Sequence, residues 1–118
     1  MRYRITPVPK CRQTRSDKWK KRPCVMRYRS FADEVRQLGI TVNPCGDLII
    51  FYLPMPTSWS KQKKKDMDGT PHRQKPDIDN LLKALLDAVF YNDSHIYDIH
   101  PIKRWAYEGS ICISREKS

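Results

Sequence analysis

The stretch from Pro76 to Val89, PDIDNLLKALLDAV, carries the strongest structural signal in this chain of 118 residues. Its apolar side chains recur at intervals of three and four residues, the spacing that places them on one face of an α-helix. These side chains are Ile78, Leu81, Leu82, Leu85, Leu86 and Val89. Asp79, Lys83 and Asp87 follow at spacings of four, so they form one charged column on the opposite face. The sequence therefore predicts an amphipathic helix that follows Pro76.

Apolar runs on both sides of this helix predict the strands of a sheet. Residues 48–55 form a continuous apolar run bounded by prolines, which is typical of a buried strand. Residues 96–105 and 110–114 favour two further strands, joined as a hairpin near Gly109. The helix would then pack its apolar face on the sheet that these strands form.

The amino-terminal third adds one strand and one helix to this plan. Residues 2–8 alternate in the manner of an edge strand, where prolines are tolerated. Residues 30–38 have helical spacing, begin at Ser30 before two acidic residues, and end at Gly39. The predicted order is β-α-β-α-β-β, an α+β fold with a mixed sheet and helices packed on it.

The length of the chain favours a single small domain over residues 1–118. Hydrophobic residues make up 39%, which is enough for a modest core. A domain of this size buries a smaller fraction of its surface on folding than a larger domain does and is only marginally stable, so association with a second copy would add to its stability.

The charge balance is strongly basic. Lysine and arginine total 23 against 13 acidic residues, which gives a formal net charge of +10 and a pI of about 9.7. A polyanionic partner is the natural inference. No apolar run approaches the length of a membrane span, and no signal peptide is evident at the start, so we expect a cytoplasmic protein without membrane contact.

Two polar segments, at about residues 10–29 and 60–75, hold most of the excess positive charge. Neither has the apolar pattern of a packed core, so we interpret both as basic loops that contact nucleic-acid phosphates. The predicted DNA-binding residues are Lys10, Arg12, Arg15, Lys18, Lys20, Lys21, Arg22, Lys63, Lys64, Lys65, Arg73 and Lys75. Trp19 or Trp59 would either stack on an unpaired base or pack within the protein.

The four cysteines do not indicate a metal site. Cys11, Cys24, Cys45 and Cys112 are widely spaced, with no CxxC pair and no nearby ligand histidine pattern. Structural zinc sites usually show tightly spaced ligand pairs. We therefore expect reduced thiols, and neither a zinc site nor a disulfide framework.

Carboxylates at the two ends of the predicted helix are the candidate chemistry. Asp77 and Asp79 lie two residues apart at its start, and if Asp77 is still extended both can turn toward one point. Asp93 follows the helix, where the chain must turn back. Ligands that offer only oxygen suit Mg²⁺ or Mn²⁺. Between two basic segments, such acids form the arrangement that a metal-dependent nuclease needs.

Structural interpretations of the same residues remain open at this point. Asp77 could cap the helix, and Asp79 could complement the positive end of its dipole. Lys83 could point its ammonium at a phosphate, or form an i,i+4 ion pair with Asp79 or Asp87 that would be worth about 0.3 to 0.5 kcal/mol. The histidines show no ligand spacing and receive no role.

The charged helix and the residues that follow it resemble one family closely. The run PDIDNLLKALLDA at 76–88, then NDSHI at 92–96 and Lys103, is similar to the RusA family of Holliday junction resolvases of bacteria and their phages. The family pattern is PDxDNLxK, a helical Asp four residues on, an Asp-Asp pair before a strand, and a downstream Lys. The likeness is close over residues 75–103 and looser over the rest of the chain.

The resemblance implies roles for individual residues. Asp77, Asp79 and Asp93 would bind catalytic Mg²⁺, for which Mn²⁺ could substitute, and Lys83 would stabilise charge at the phosphate. Asp87 and Lys103 would support the site. Asn92 departs from the pattern, because the family has an aspartate there.

The activity implied is Mg²⁺-dependent cleavage of four-way DNA junctions by paired symmetric nicks, in DNA recombination and repair, by a homodimer. Two alternatives are weighed beside it. One is a DNA-binding protein without catalysis, whose acids only cap the helix. The other is a nuclease that acts on forks and flaps, because metal ligands do not determine which branched substrate is cut.

Overall fold

The computed structural model describes residues 2–10, 23–43, 45–90 and 92–115. In chain order the elements are β1 (Arg2–Tyr3), α1 (Pro23–Leu38), β2 (Cys45–Pro54), α2 (Lys61–Met67), α3 (Ile78–Val89), β3 (Asp98–Ala106) and β4 (Ser110–Arg115). The predicted α+β class is confirmed. The order differs from the predicted one by an additional helix, α2, between the second strand and the helix after Pro76.

The four strands form one mixed sheet in the order β1-β4-β2-β3. β2 pairs in parallel with β3, with Phe51 opposite Lys103, and antiparallel with β4, with Phe51 opposite Ile111. Parallel neighbours cannot be joined by a tight turn, so the chain needs a crossover between them. That crossover contains α2 and α3, and it brings the start of α3 beside the edge strand β3.

The core lies between one face of the sheet and the helices α1 and α3. Ile49 and Phe51 of β2 are fully buried, as are Val35 of α1 and Leu81 and Leu85 of α3. Alternate residues of a strand point to the same face, which is why the odd-numbered positions of β2 meet the helices. The predicted apolar face of α3 is confirmed, and its charged column is left on the outer side.

Helix α1 begins at Pro23, seven residues before the predicted start. Proline is well suited to the first position of a helix, because its fixed φ is helical and no partner for its missing N–H is needed. Arg27 and Arg29 occupy exposed positions of these added turns and conceal the helical pattern in a basic run. No helix within the described ranges is both long and apolar enough to cross a membrane.

Helix α2 replaces part of the segment that was expected to be a flexible loop. Ser60 caps it, since its Oγ accepts a hydrogen bond from the Lys63 backbone N at 3.1 Å. The Gln62 side chain donates to Asp66 one turn on, at 3.0 Å. The sequence contains no apolar face here, so the helix was missed because its support comes from a cap and from the neighbouring tryptophan described below.

The amino-terminal strand is shorter than expected, and one cysteine differs from expectation. β1 covers Arg2–Tyr3 instead of residues 2–8, and the residues that follow it include two prolines, which cannot donate to a strand ladder. Cys24 is bonded in a disulfide, whereas Cys112 is a free thiol. The expectation of reduced thiols is therefore wrong for Cys24, while Cys11 lies outside the described residues.

Candidate active site

The start of α3 presents two exposed carboxylates. Asp77 occupies the N-cap position with an extended backbone, at φ −70° and ψ 147°, which is the condition under which its carboxylate and that of Asp79 could turn toward one point. Its side chain makes no capping hydrogen bond. Among the described residues, the Asp79 Oδ1 accepts only from the adjacent Asn80 backbone N, at 2.9 Å. The capping interpretation of Asp77 thus lacks its bond, and both carboxylates are open to a ligand.

A lysine in the middle of α3 lies between two carboxylates from farther along the chain. The Lys83 Nζ lies 3.2 Å from Asp93 Oδ2 and 3.3 Å from Asp87 Oδ1. The hydrogen bonds to Asp93 and then to Asp87 raise the pKa of Lys83 above its usual value. The ammonium is exposed and fully charged at neutral pH. The i,i+4 pair with Asp87 is therefore present, and the same lysine reaches the loop residue Asp93.

A second lysine reaches Asp87 from the amino-terminal segment. The Lys10 Nζ donates to the Asp87 Oδ2, and the Lys10 backbone N donates to the Asn80 carbonyl oxygen at 3.1 Å. Burial, and then the negative charge of Asp87, raise the pKa of the Tyr28 hydroxyl on α1. Asp87 thus links the amino-terminal segment to α3 through Lys10.

Lys103 supports the loop that leads to Asp77. Its Nζ donates to the carbonyl oxygens of Gln74 at 2.7 Å and of Pro76 at 2.8 Å. These carbonyls flank Lys75, which is joined to Pro76 by a cis peptide bond. A side chain from the sheet therefore fixes the backbone that immediately precedes the first carboxylate.

An aromatic cluster anchors α2 beside the sheet. The rings of Trp59 and Trp105 lie 4.8 Å apart, and His72 lies 4.1 Å from Trp105. The Lys63 Nζ lies over the Trp59 ring at 4.3 Å from its centre, a cation–π contact. These contacts favour the packing interpretation of Trp59 over base stacking, whereas Trp19 lies outside the described residues.

His72 was assigned no role from sequence, yet it is buried at this position, with 6% of its surface exposed. Its Nδ1 has no hydrogen-bond partner in the part of the chain that the structure describes. Burial, and then the positive charge of Lys103, lower the pKa of the imidazole. His72 therefore packs as a neutral ring under the loop that carries the start of the site.

The predicted phosphate-binding residues fall into three groups. Lys63, Lys64 and Lys65 lie on α2, and Arg73 and Lys75 are exposed on the loop before Asp77. Lys10 pairs with Asp87 as described. The remaining predicted residues lie outside the described part of the chain; they are Arg12, Arg15, Lys18, Lys20, Lys21 and Arg22.

The carboxylate oxygens of Asp77, Asp79 and Asp93 are the type of ligand that a hard divalent cation prefers. Within the described ranges, no three acidic, histidine or cysteine side chains converge on one metal position. Asp77 and Asp79 nevertheless offer free carboxylate oxygens, and Mg²⁺ is commonly held by one or two carboxylates together with waters and substrate phosphates. Asp93 is engaged with Lys83 and would have to turn to join them.

Comparison with known families gives one match over almost the whole chain. The family model described as "Endodeoxyribonuclease RusA" matches residues 5–114, a span that includes every element from α1 to β3 and nearly all of β4. No curated protein and no solved structure matches the chain.

Proposed function

The chain belongs to the RusA family of endodeoxyribonucleases, which resolve Holliday junctions, and we propose that it does so with Mg²⁺ by paired symmetric nicks. The observation that carries this proposal is the pair of carboxylates at the start of α3. Asp77 and Asp79 are exposed at the start of α3, and neither forms an ion pair with any described residue, in a chain with a net charge of +10. A basic surface binds the phosphates and the acids bind the cation.

Asp77, Asp79 and Asp93 would hold the cation, and Mn²⁺ could replace Mg²⁺. When bound, such an ion lowers the pKa of a coordinated water and offsets negative charge on the phosphate. The exposed position of Asp77 and Asp79 also leaves room for phosphate oxygens among the ligands, as Mg²⁺ sites in phosphoryl transfer require.

Lys83 would stabilise the charge that develops at phosphorus. Its raised pKa keeps the amine protonated over the whole neutral range. The attack of water on phosphorus and the departure of the 3′-oxygen would give a 5′-phosphate and a 3′-hydroxyl. A preorganised cation beside the scissile phosphate lowers this barrier because the transition state carries more localised charge than the ground state.

The basic residues around this site would bind the DNA backbone. Arg73 and Lys75 lead directly into Asp77, so phosphate contacts there would bring a strand to the carboxylates. Helix α2 presents further lysines and is held to the sheet through Trp59. Such contacts position a duplex without reading its sequence.

A homodimer would match the symmetry of the substrate. A four-way junction has near two-fold symmetry, and two symmetric nicks require two sites. The sheet face away from the helices carries partly exposed apolar side chains, among them Leu48 and Ile50 of β2 and Ile102 of β3. We propose this face as the dimer contact, and we place the enzyme in the cytoplasm, with branched DNA as its substrate.

The test is the cleavage of a labelled synthetic four-way junction beside a linear duplex of the same sequence, with Mg²⁺ or with EDTA. We expect paired nicks at symmetric positions in the junction alone, and only with the metal. Forks and flaps in the same panel examine the alternative substrate. Faster cutting of forks or flaps than of junctions, or cutting in EDTA, would contradict the proposal.

A further inference from the structure

We propose that Asp87 is a positioning residue that holds Lys83 toward the reacting phosphate. This inference rests on the proposed function, in which Lys83 contacts the phosphate. Asp87 itself lies eight residues beyond Asp79, which is about 12 Å along the helix axis. It is therefore too distant from the start of α3 to be one of the ligands there, and its effect must pass through a neighbour.

The two oxygens of Asp87 serve two different lysines. Oδ1 lies 3.3 Å from the Lys83 Nζ, and Oδ2 accepts the hydrogen bond of the Lys10 Nζ. A carboxylate that is held at one oxygen has less freedom to rotate away from the other. Lys10 thus fixes the orientation in which Asp87 meets Lys83.

Lys83 would benefit from such a support because its side chain lies largely at the surface. Its side chain is 51% exposed, whereas that of Asp87 is 23% exposed. A lysine that must be ordered loses up to about 2 kcal/mol of side-chain entropy. A fixed, half-buried carboxylate one turn away restricts the ammonium before substrate binds, so less ordering is left to the reaction.

Asp93 cannot supply this support throughout the reaction. It holds Lys83 at 3.2 Å in the free protein, but it is also one of the three proposed metal ligands. If Asp93 turns to the cation, Asp87 remains as the carboxylate partner of Lys83 on α3. The pairing with two acids therefore allows one of them to be released while the lysine stays in place.

The environment of Asp87 also explains why an acid is tolerated there. Asp87 lies in the last turn of α3, where the negative end of the helix dipole disfavours a carboxylate, and that turn carries no basic residue of its own. Lys83 and Lys10 offset this cost. The second of them comes from a distant part of the sequence, which indicates that the fold brings a cation to this carboxylate.

The first experiment is the Asp87→Asn substitution, which keeps the shape and removes the charge. We expect the single-turnover cleavage rate of the four-way junction to fall about 10-fold to 100-fold, the loss typical of a residue that orients another at a metal site. The dissociation constant for the junction in EDTA should stay within about twofold. Asp33→Asn, which removes an exposed acid paired with Arg36 on α1, is the matched control and should cut at the wild-type rate.

A double-mutant cycle separates positioning from a general structural effect. In the Lys83→Ala background, Asp87→Asn should cause no further loss of rate, because the group on which it acts has been removed. A further 10-fold loss in that background would overturn the proposal. Asp87→Glu, which retains the charge, should recover most of the rate, and a rate as low as that of Asp87→Asn would also count against positioning.

A third measurement does not depend on cleavage. Acetic anhydride acetylates free lysine amines, and mass spectrometry of peptides gives the rate at each residue. Asp87→Asn should accelerate acetylation of Lys83 and Lys10 but not of Lys61, while Asp33→Asn should change none of them. An unchanged acetylation rate at Lys83 would refute the contact between Asp87 and Lys83, even if the enzyme is active. A wild-type protein that cuts no junction would contradict the proposed function but not this contact.

Discussion

Aspartates lie at both ends of α3, but those at the start differ from those at the other end in whether they form ion pairs. Asp77 and Asp79 at the start are exposed and form no ion pair within the described residues, while Asp87 and Asp93 at the other end are both bound to Lys83. The helix dipole accounts for part of the difference, because it stabilises an unpaired acid at the start and disfavours one at the end. Free carboxylates suit a cation, and paired ones suit the placement of a lysine.

The largest effect on junction cleavage should come from removing an acid at the start of α3. Asp79→Asn deletes a proposed metal ligand and leaves the basic surface unchanged. We expect junction cleavage in Mg²⁺ to fall by more than about 100-fold, since that is the upper limit of losses caused by groups one step removed from a metal. Junction binding in EDTA should be preserved, as measured by gel shift.

Asp68→Asn serves as the control for the Asp79 substitution, because Asp68 is an exposed acid at the end of α2. It should cut at the wild-type rate. A loss of binding that equals the loss of cleavage in Asp79→Asn would show that this acid stabilises the DNA-binding surface. The distinction between the two ends of α3 would then disappear.

The next largest effect is expected from Lys83, the lysine that pairs with Asp87 and Asp93. Lys83→Ala should lower the cleavage rate by about 100-fold, in the range seen when one donor to a developing negative charge is removed. Its effect on junction affinity should be small, because one phosphate contact among many is lost. Arg36→Ala, which removes an exposed cation of α1 outside the predicted DNA-binding residues, should keep the rate. A Lys83 variant that cuts normally would remove this lysine from the site.

Much of this comparison could be predicted from the sequence, because α3 is specified locally. Six apolar side chains at helical spacing determine its inner face, and the two acids at its start are only two residues apart in the chain. The extended backbone of Asp77 follows from its N-cap position, where a residue typically has extended dihedral angles. The strand β2 was equally accessible, since a short apolar run bounded by prolines leaves few alternatives.

The remaining features depend on contacts between distant residues. Lys10 and Asp87 are 77 positions apart, and Lys103 reaches the Gln74 carbonyl 29 positions away, so no local pattern announces either contact. Helix α2 was missed for a related reason. Its sequence is almost wholly polar, and its anchor is the contact of Trp59 with Trp105, which only the completed sheet provides.

A smaller effect is expected from Lys103, which supports the backbone before the start of α3. Lys103→Met removes the ammonium that bonds two backbone carbonyls and leaves a chain of similar length. We expect the free energy of unfolding to fall by about 1.5 to 3 kcal/mol, as measured by urea denaturation, because a hydrogen bond that involves a charged group is worth about that much.

Lys103→Arg is the informative companion, since a guanidinium can still donate to both carbonyls. It should recover at least half of the lost stability. Cleavage by the Met variant should also need more Mg²⁺ than that of the wild type, because the backbone before Asp77 is less well held. An unchanged stability and Mg²⁺ requirement would mean that the start of α3 is fixed without Lys103.

The smallest effect is a dependence of stability on pH that originates at His72. Burial and the neighbouring Lys103 lower the pKa of this imidazole in the folded protein, whereas an unfolded histidine titrates at about 6.5. The unfolded chain therefore binds the proton first as the pH falls. The contribution of the neutral ring to stability is complete above about pH 6.5 and is lost toward the lower pKa of the fold. Between pH 7.5 and 5.5 the wild type should lose up to about 1 kcal/mol more than His72→Phe, which keeps a ring against Trp105 and cannot titrate. The check is the free energy of unfolding of both proteins, measured by urea denaturation across this pH range. If the two values change in parallel with pH, His72 is not the source of the pH dependence.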